Sequence, residues 1–462
     1  MQWFTDLIPL RNYIKYKVRL CMKFSLNVLL QRSSTPIFVI YAASAAFMTY
    51  FCMYAFRKPF VAASYDNIEI FSGVIDFKVA LVLAQVLGYL LSKFIGIKVI
   101  AEMKSNKRAL AILILVMSSE LALIGFALVP VDYKLLFMFL NGVPLGMIWG
   151  LVFGFLEGRR TTEILGAILS ITFIVASGLV RSVGKWLIDA MGVVDIWMPA
   201  VTGALFTIPL FISVYLLTQL PQPSAEDIAE RQERAPMNAL QRKRFFVAYA
   251  PGIILLILSF LLITGLRDFR DNFSAEIWTA LGYGDEPTIF AYAGIRIAAI
   301  VLFALGAMVV IKNNVRAFLV NHIFILLGCG LLGGATLAFQ AGVLDGKSWM
   351  VLLGAGLYTA YIPYNCFLFD RMIAAVGVTA NAGFLIYLAD SAGYLGSVSI
   401  LLYRTFSSAQ LSWLEFFINL CYFVSVVGAG LVACSMSYFS HLLYKQHYPP
   451  QRVNEHSLIQ EN

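Results

Sequence analysis

The chain has 462 residues, is 60% hydrophobic and 13% charged, and carries a formal net charge of +8. That balance excludes an ordinary soluble domain and indicates a polytopic helical membrane protein. The positive charge is accounted for by loops on the inner side of a membrane, not by nucleic acid. Six cysteines, at 21, 52, 329, 366, 421 and 434, are scattered without a C-x-x-C, so neither a disulfide framework nor a zinc site is indicated. Of four histidines, His441, His447 and His456 fall at the end of the last apolar segment or in the tail. A metal-centred enzyme is therefore not indicated, and no cofactor is expected.

Residues 1–35 carry Arg11, Lys15, Lys17, Arg19, Lys23 and Arg32 among apolar residues. The pattern fits a basic amphipathic helix on the inner leaflet. It does not fit a signal peptide, because charges break the apolar stretch and no small-residue cleavage site follows. Met22 stands as an alternative start, since Lys23 to Arg32 suffice as a cytoplasmic anchor.

About twelve apolar segments follow, near 36–62, 76–101, 108–130, 134–157, 164–188, 196–220, 245–270, 287–311, 316–340, 348–371, 378–403 and 412–440. With the N-terminus inside, the inner loops hold Lys104, Lys107, Arg108, Arg159, Arg160, Arg231, Arg234, Arg242, Lys243, Arg244, Lys312, Arg316 and Arg371. The outer loops hold Asp66, Glu69, Asp76, Asp132, Asp195, Asp285, Glu286 and Asp345, with few cations. This is the positive-inside pattern; it places both termini in the cytoplasm and the chain in the inner membrane.

The longest polar stretch, 221–244, is punctuated by Pro221, Pro223 and Pro236, and Ser224 to Asp227 reads as a capped helix start. The predicted organisation is an N-terminal segment 1–35, a six-helix bundle 36–220, a linker 221–244, a second bundle 245–440 and a tail 441–462. The fold class is all-α. In segment four, Gly142, Gly146, Gly150, Gly154 and Gly158 form a ladder at every fourth residue. It presents a bare helix face, either for close packing or for a helix to slide along.

The stretch Tyr50 to Phe60 closes the first segment with Arg57 and Lys58, 21 and 22 residues past Pro36. A charge at the bilayer centre costs about 2.5–3.5 kcal/mol on insertion scales, so Arg57 sits either in a wet cavity or at the membrane edge. A second copy, Leu261 to Arg270, ends the seventh segment, with Arg267 lying 210 residues after Arg57. Equivalent cations in two halves point to two walls of one site.

Lys93, Glu120, Arg181, Arg296 and Asp390 also fall inside apolar segments, with Lys58 and Lys185 nearer the ends. Each is costly facing lipid and is expected to face protein or water. One outcome is internal ion pairing that only locks the fold. The other follows from the cationic excess: these carboxylates are too few to neutralise the cations, and the guanidinium fork grips phosphate or carboxylate. Tyr50 and Tyr54 precede Arg57 on one helical face, and Tyr358, Tyr361 and Tyr364 with Asn365 repeat the arrangement on segment ten.

These residues resemble the major facilitator superfamily and, within it, the organophosphate:phosphate antiporters. The matches are Tyr50, Tyr54, Arg57, Lys58 and Phe60 on the first segment. Gly88-Tyr89 and Ser92-Lys93-Phe94-Ile95 on the second follow, with Asn106-Lys107-Arg108 after them. Further along come Arg267, Tyr292-Ala293-Gly294-Ile295, Ala382-Gly383-Phe384 and Gly393-Tyr394-Leu395-Gly396-Ser397. The chain also resembles a bacterial family of such membrane proteins without a characterised function. The resemblance implies a phosphate site on Arg57 and Arg267, with Lys93 near it. Departures are the missing histidine in Phe173 to Ser177, Ala291 in place of a carboxylate, Glu102 for an aspartate, and the additional Arg181, Arg296, Glu120 and Asp390.

The expected function is alternating-access transport of a small anionic solute: an organophosphate, phosphate or organic acid. Candidate solute-binding residues are Arg57, Arg267, Tyr50, Tyr54, Lys93, Arg296 and Tyr361. Candidate gating or proton-coupling residues are Asp390, Glu120, Lys58 and Arg181. Segments two and eleven meet in this superfamily, as do five and eight, so Lys93 and Asp390 are expected to pair and Arg181 and Arg296 to stack. At ~8 Å and an effective dielectric near 20, Arg57 and Arg267 would repel by about 2 kcal/mol until an anion joins them. The partners expected are the solute and the lipid bilayer, with the chain acting as a monomer. An enzyme is not indicated, because no nucleophile–base pair converges at one depth. An anion sensor with a transporter-like fold is the rival.

Overall fold

The computed structural model describes residues 26–65, 68–70, 75–224, 227, 239–378, 382–406 and 411–447. Arg11, Lys15, Lys17, Arg19 and Lys23 of the basic segment lie outside the described residues. So do Asp66, the linker residues Arg231, Arg234 and Pro236, and His456 of the tail.

In chain order the helices are α1 Leu26–Gln31, α2 Thr35–Tyr54, α3 Phe77–Glu102, α4 Ser105–Leu128, α5 Val131–Leu145, α6 Ile148–Phe153, α7 Thr162–Asp189 and α8 Met198–Thr218. They continue as α9 Ala239–Asn272, α10 Ser274–Ala280, α11 Ile289–Val309, α12 Asn314–Gln340, α13 Gly346–Cys366, α14 Leu368–Val376, α15 Ala382–Phe406, α16 Trp413–Phe423 and α17 Ala429–His447. A minimal hairpin pairs β1 Glu69–Ile70 with β2 Ile75–Asp76, Glu69 opposite Asp76. Among the described residues eleven helices are long and apolar enough to cross a membrane, or twelve with the bent pair α13–α14 taken as one span. The chain is a multi-pass, all-α membrane protein.

Local sequence explains where the helices start and break. Asp76 caps α3 by accepting from the Val79 amide at 3.0 Å, and Asp345 caps α13 through the Ser348 amide at 3.2 Å. Beside Ser348, the exposed Asp345 carboxyl is held below its ordinary range. Ser412 and Glu415 form a reciprocal capping box on α16. The expected Ser224–Asp227 start forms as well, with the Asp227 amide donating to Ser224 Oγ at 3.0 Å. Prolines interrupt the spans because they lack an N–H and crowd the preceding turn. Pro144 precedes the α5–α6 break, Pro251 accompanies the kink at Tyr249, and Pro363 precedes a 51° bend between α13 and α14.

The described helices form two compact units: Met1–Gln232 with Arg270–Leu302, and Glu233–Phe269 with Phe303–Asn462. The divisions fall inside α9 and α11. In the first unit α3 and α5 cross at closest backbone approach: a methyl at Gly88 would strike the Phe139 carbonyl, and one at Gly142 the Gln85 carbonyl. The upper glycines of the ladder therefore seat α3. The ladder does not run down one helix, because α5 ends at Leu145 and Gly158 lies in a loop at φ 81°. Gly178 of α7 meets the backbone of α11 in the same way at Phe290. In the second unit Gly328 of α12 and Gly356 of α13 are in mutual backbone contact.

Candidate solute-binding site

Arg57 is not on a helix. The first segment was expected to run on to 62, which would put Tyr50, Tyr54 and Arg57 on one face. Instead α2 ends at Tyr54, and its last turn tightens: the amides of Ala55, Phe56 and Arg57 reach back only three residues. Pro59, with no N–H to offer, then opens a 3₁₀ turn over Pro59–Ala62. The carbonyls released by this break are taken by buried amides. Asn141 Nδ2 donates to the Phe56 carbonyl at 2.9 Å, and Gln85 Nε2 donates to the Arg57 carbonyl at 3.0 Å. Gln85 also donates to Asn141 Oδ1 at 2.7 Å, so α3 and α5 together fix the Arg57 backbone.

The Arg57 side chain is buried, with its guanidinium carbon 3.9 Å from the Tyr89 ring centroid. Buried Lys93 approaches the same ring at 5.4 Å. Tyr50 packs edge-on against Tyr54 and Phe173, at 5.5 and 5.8 Å between centroids. Arg57, Lys93, Tyr89, Tyr50 and Tyr54 all belong to the first unit.

Arg267 belongs to the second unit and shows a parallel arrangement. It is buried, with its guanidinium carbon 4.3 Å from the Tyr361 ring centroid. Its Nη2 and Nε donate to Asp268 Oδ1 at 2.6 and 3.1 Å, and Ser397 of α15 donates to Asp268 Oδ2 at 2.7 Å. Tyr361, Tyr394 and Tyr358 are further electrostatic neighbours of Arg267. Tyr364 shares a hydrogen bond with Ser259 at 2.5 Å and packs on Phe260. Asp390 is half-buried on α15.

Further charges of the first unit pair between the turn after α2, the start of α3, α7, the end of α9 and α10. Lys58 donates to Asn272 Oδ1 at 2.7 Å, and Lys78 pairs with Glu276 at 2.5 Å. Arg181 reaches the Asp271 carbonyl at 2.8 Å, lies 3.9 Å from the Asp271 carboxylate, and bonds Ser274 Oγ. Arg270 also approaches Asp271, and Lys185 pairs with Asp189 at 3.1 Å. Asp268 and Asp271, carboxylates that the sequence count left out, lie on the helix that carries Arg267 and pair with Arg267, Arg181 and Arg270. Nor do Arg181 and Arg296 stack on each other. Arg181 lies 5.2 Å over Phe290, whereas Arg296 is exposed and lies 3.6 Å over Tyr292. Arg296 makes no ion pair among the described residues. Lys93 and Asp390 belong to different units. Glu120 is buried in the first unit against Gly203 and Phe56.

Residues 59–442 match a family described as "Family of unknown function (DUF5690)". The chain belongs to DUF5690. No curated protein matches it. By structure this DUF5690 chain is similar to a crystal structure of a D-xylose-proton symporter, at 14% identity and a TM-score of 0.58, over 87% of this chain and 97% of that one. It is similar to the nucleoside transporter NupG at 16% identity and 0.55, over 86% and 98%. It is also similar to the xylose transporter XylE from E. coli in a partially occluded inward-open conformation, at 12% and 0.55, over 90% and 98%. The fold is that of the major facilitator superfamily.

Within this fold, the DUF5690 chain gives roles to residues that the sequence analysis held only as parts of motifs or segments. Tyr89 and Ser397, quoted above only as motif residues, carry Arg57 and Asp268. Ser177 and Thr264, one turn before Arg181 and Arg267, have buried hydroxyls without a hydrogen-bond partner among the described residues. Buried polar atoms of this kind mark places for water or solute.

Proposed function

We propose that this chain is a secondary active transporter, working by alternating access on a small anionic solute: an organophosphate, phosphate or organic acid. The observation that carries the reading is one arrangement made twice. Each compact unit buries an arginine on a tyrosine ring near the end of a span, Arg57 on Tyr89 and Arg267 on Tyr361. Ionisable groups inside membrane spans are costly and mark solute or ion paths. The exposed Arg296, which lies over the Tyr292 ring and makes no ion pair among the described residues, favours an anion further. The antiporter-like motif around Tyr50, Tyr54, Arg57 and Lys58 supports an organophosphate.

In this reading the halves 36–220 and 245–440 move against each other in the inner membrane, with both termini in the cytoplasm. Arg57, Arg267, Lys93, Arg296, Tyr50, Tyr54 and Tyr361 bind the solute. Lys58 and Arg181 hold a gate with Asn272 and Asp271, and Asp390 and Glu120 are the acids available for proton coupling. The carriers that share the fold support a transporter over a sensor.

A second reading has one observation in its favour. Asp268 neutralises Arg267, and a net-neutral pair among tyrosines also suits a polyhydroxylated neutral solute. Counterflow in proteoliposomes separates the two. Vesicles loaded with phosphate, glycerol phosphate, a hexose phosphate or succinate are expected to accumulate the matching labelled anion. Exchange of xylose or uridine alone would replace the anion with a neutral solute, and no exchange of any kind would remove the transporter reading.

A further inference from the structure

We propose that Glu120 is the proton-binding residue of this chain, and that its protonation is linked to anion binding at Arg57, so that transport is a proton–anion symport. The linkage rests on the reading of Arg57 as a solute-binding residue; the proton site itself does not.

Glu120 lies within the span Ser105–Leu128 and is 9% exposed. Among the described residues its carboxyl makes no hydrogen bond and no ion pair, and Oε2 is fully buried. A buried carboxylate without a partner is far more costly than the neutral acid, so this conformation is that of the protonated group. The neighbours are fitted to it. A methyl at Gly203 of α8 would collide with Glu120 Oε2 and with the Phe56 ring, so the glycine leaves the space that the carboxyl fills.

The titratable and charged groups on the elements packed around α4 are few. The stretch through α2 and its following turn carries Tyr41, Tyr50, Cys52, Tyr54, Arg57 and Lys58. Helix α5 carries Asp132, Tyr133 and Lys134, with Lys134 Nζ donating to the Phe126 carbonyl at 2.6 Å, and α8 carries only Tyr215. None of them bonds Glu120 among the described residues.

Ser119, the residue before Glu120, is wired to Arg57. Asn141 Nδ2 donates to Ser119 Oγ at 2.6 Å and to the Phe56 carbonyl at 2.9 Å, while Gln85 ties Asn141 Oδ1 to the Arg57 carbonyl. Protonation adds one proton from water to the carboxylate and breaks no other bond. When Glu120 ionises, the carboxylate must leave this apolar space for water or a polar partner, and the Ser119–Asn141 bonds carry that shift to the Arg57 backbone. Arg57 is then moved from the position in which it holds the solute. Each ligand, proton and anion, favours the other by the same factor, as linkage requires.

The test uses the purified full chain in two measurements. Infrared difference spectra are expected to show a protonated-carboxyl band at neutral pH that is absent from Glu120→Gln; a band unchanged by that substitution would overturn the proton site. In proteoliposomes, wild type is expected to accumulate phosphate or glycerol phosphate under an inward proton gradient. Glu120→Gln, nearly isosteric with the neutral acid, is expected to keep counterflow and lose that accumulation. Glu120→Asp, which keeps an acid, is expected to recover part of it. Gradient-driven accumulation by Glu120→Gln at the wild-type level would overturn the coupling. Wild type that shows the band but exchanges no anion would overturn the solute reading of Arg57, and with it the linkage, while leaving the proton site in place.

Discussion

Arg267 and Asp268 are neighbours in the chain and partners in space: Nη2 lies 2.6 Å from Oδ1, and both side chains are buried. Adjacent residues on a helix point in directions well apart, so the pair forms only because Ser397 and the tyrosines of α13 and α15 hold both groups in place.

Truncating one partner of such a pair leaves the other charge buried without compensation, at a cost of roughly 3–5 kcal/mol. Asp268→Ala should therefore lower the thermal midpoint in detergent well below that of Ser397→Ala. The latter removes one hydrogen bond to a charged group, worth about 1.5–3 kcal/mol. Equal midpoints for the two variants would mean that the ion pair does not hold the second unit together.

Arg57→Lys keeps the charge and loses the planar fork and its stacking on Tyr89. If Arg57 grips an anion through two N–H bonds, losing one charge-assisted bond of about 1.5–3 kcal/mol weakens apparent affinity about 10- to 100-fold. Folding should change little, because the backbone carbonyl of Arg57, not its side chain, anchors the Gln85 bond. Uptake kinetics and thermal midpoint measured together check this. An unchanged affinity would move the binding role away from Arg57.

The fold was legible because hydropathy in membranes is a strong signal: every predicted segment corresponds to a helix or a broken helix. The buried cations Arg57, Lys93 and Arg267 were also legible, since a charge in a span must be accommodated. Their partners were not. Asp268 and Asp271 sit beside arginines in the chain, where spacing gives no hint of pairing, and the partners of Lys58 and Lys78 lie some two hundred residues away. The break after Tyr54 did have a signal, in Pro59, whose missing N–H ends a helix before it. Arg296 was expected to stack with Arg181, but a ring one turn back on its own helix took it.

Gly88 tests the closest helix crossing of the first unit. A methyl there would overlap the Phe139 carbonyl, and backbone cannot swing aside as a side chain can. Gly88→Ala should cost about 1–3 kcal/mol through overpacking, seen as a lower thermal midpoint. Gly306→Ala, where nothing lies within 4 Å of the added methyl, is the matched control and should leave the midpoint unchanged.

Lys78 at the start of α3 and Glu276 on α10 give the sharpest test of the charge pairs of the first unit. The lysine side chain is 1% exposed and the glutamate 19%, with Nζ and Oε1 2.5 Å apart. Glu276→Ala strands the lysine charge, and about 3–5 kcal/mol of stability should go with it. Lys78→Met combined with Glu276→Leu removes both charges and fills the space with apolar groups, so most of the loss should return. If these contacts also form a gate that opens during transport, the double variant should fold well yet exchange solute at a different rate from wild type, since apolar groups repack where charges would separate into water. A thermal midpoint that stays low in the double variant would mean that packing at this site, not charge pairing, sets its stability. A wild-type exchange rate alongside a restored midpoint would take the pair out of the gate.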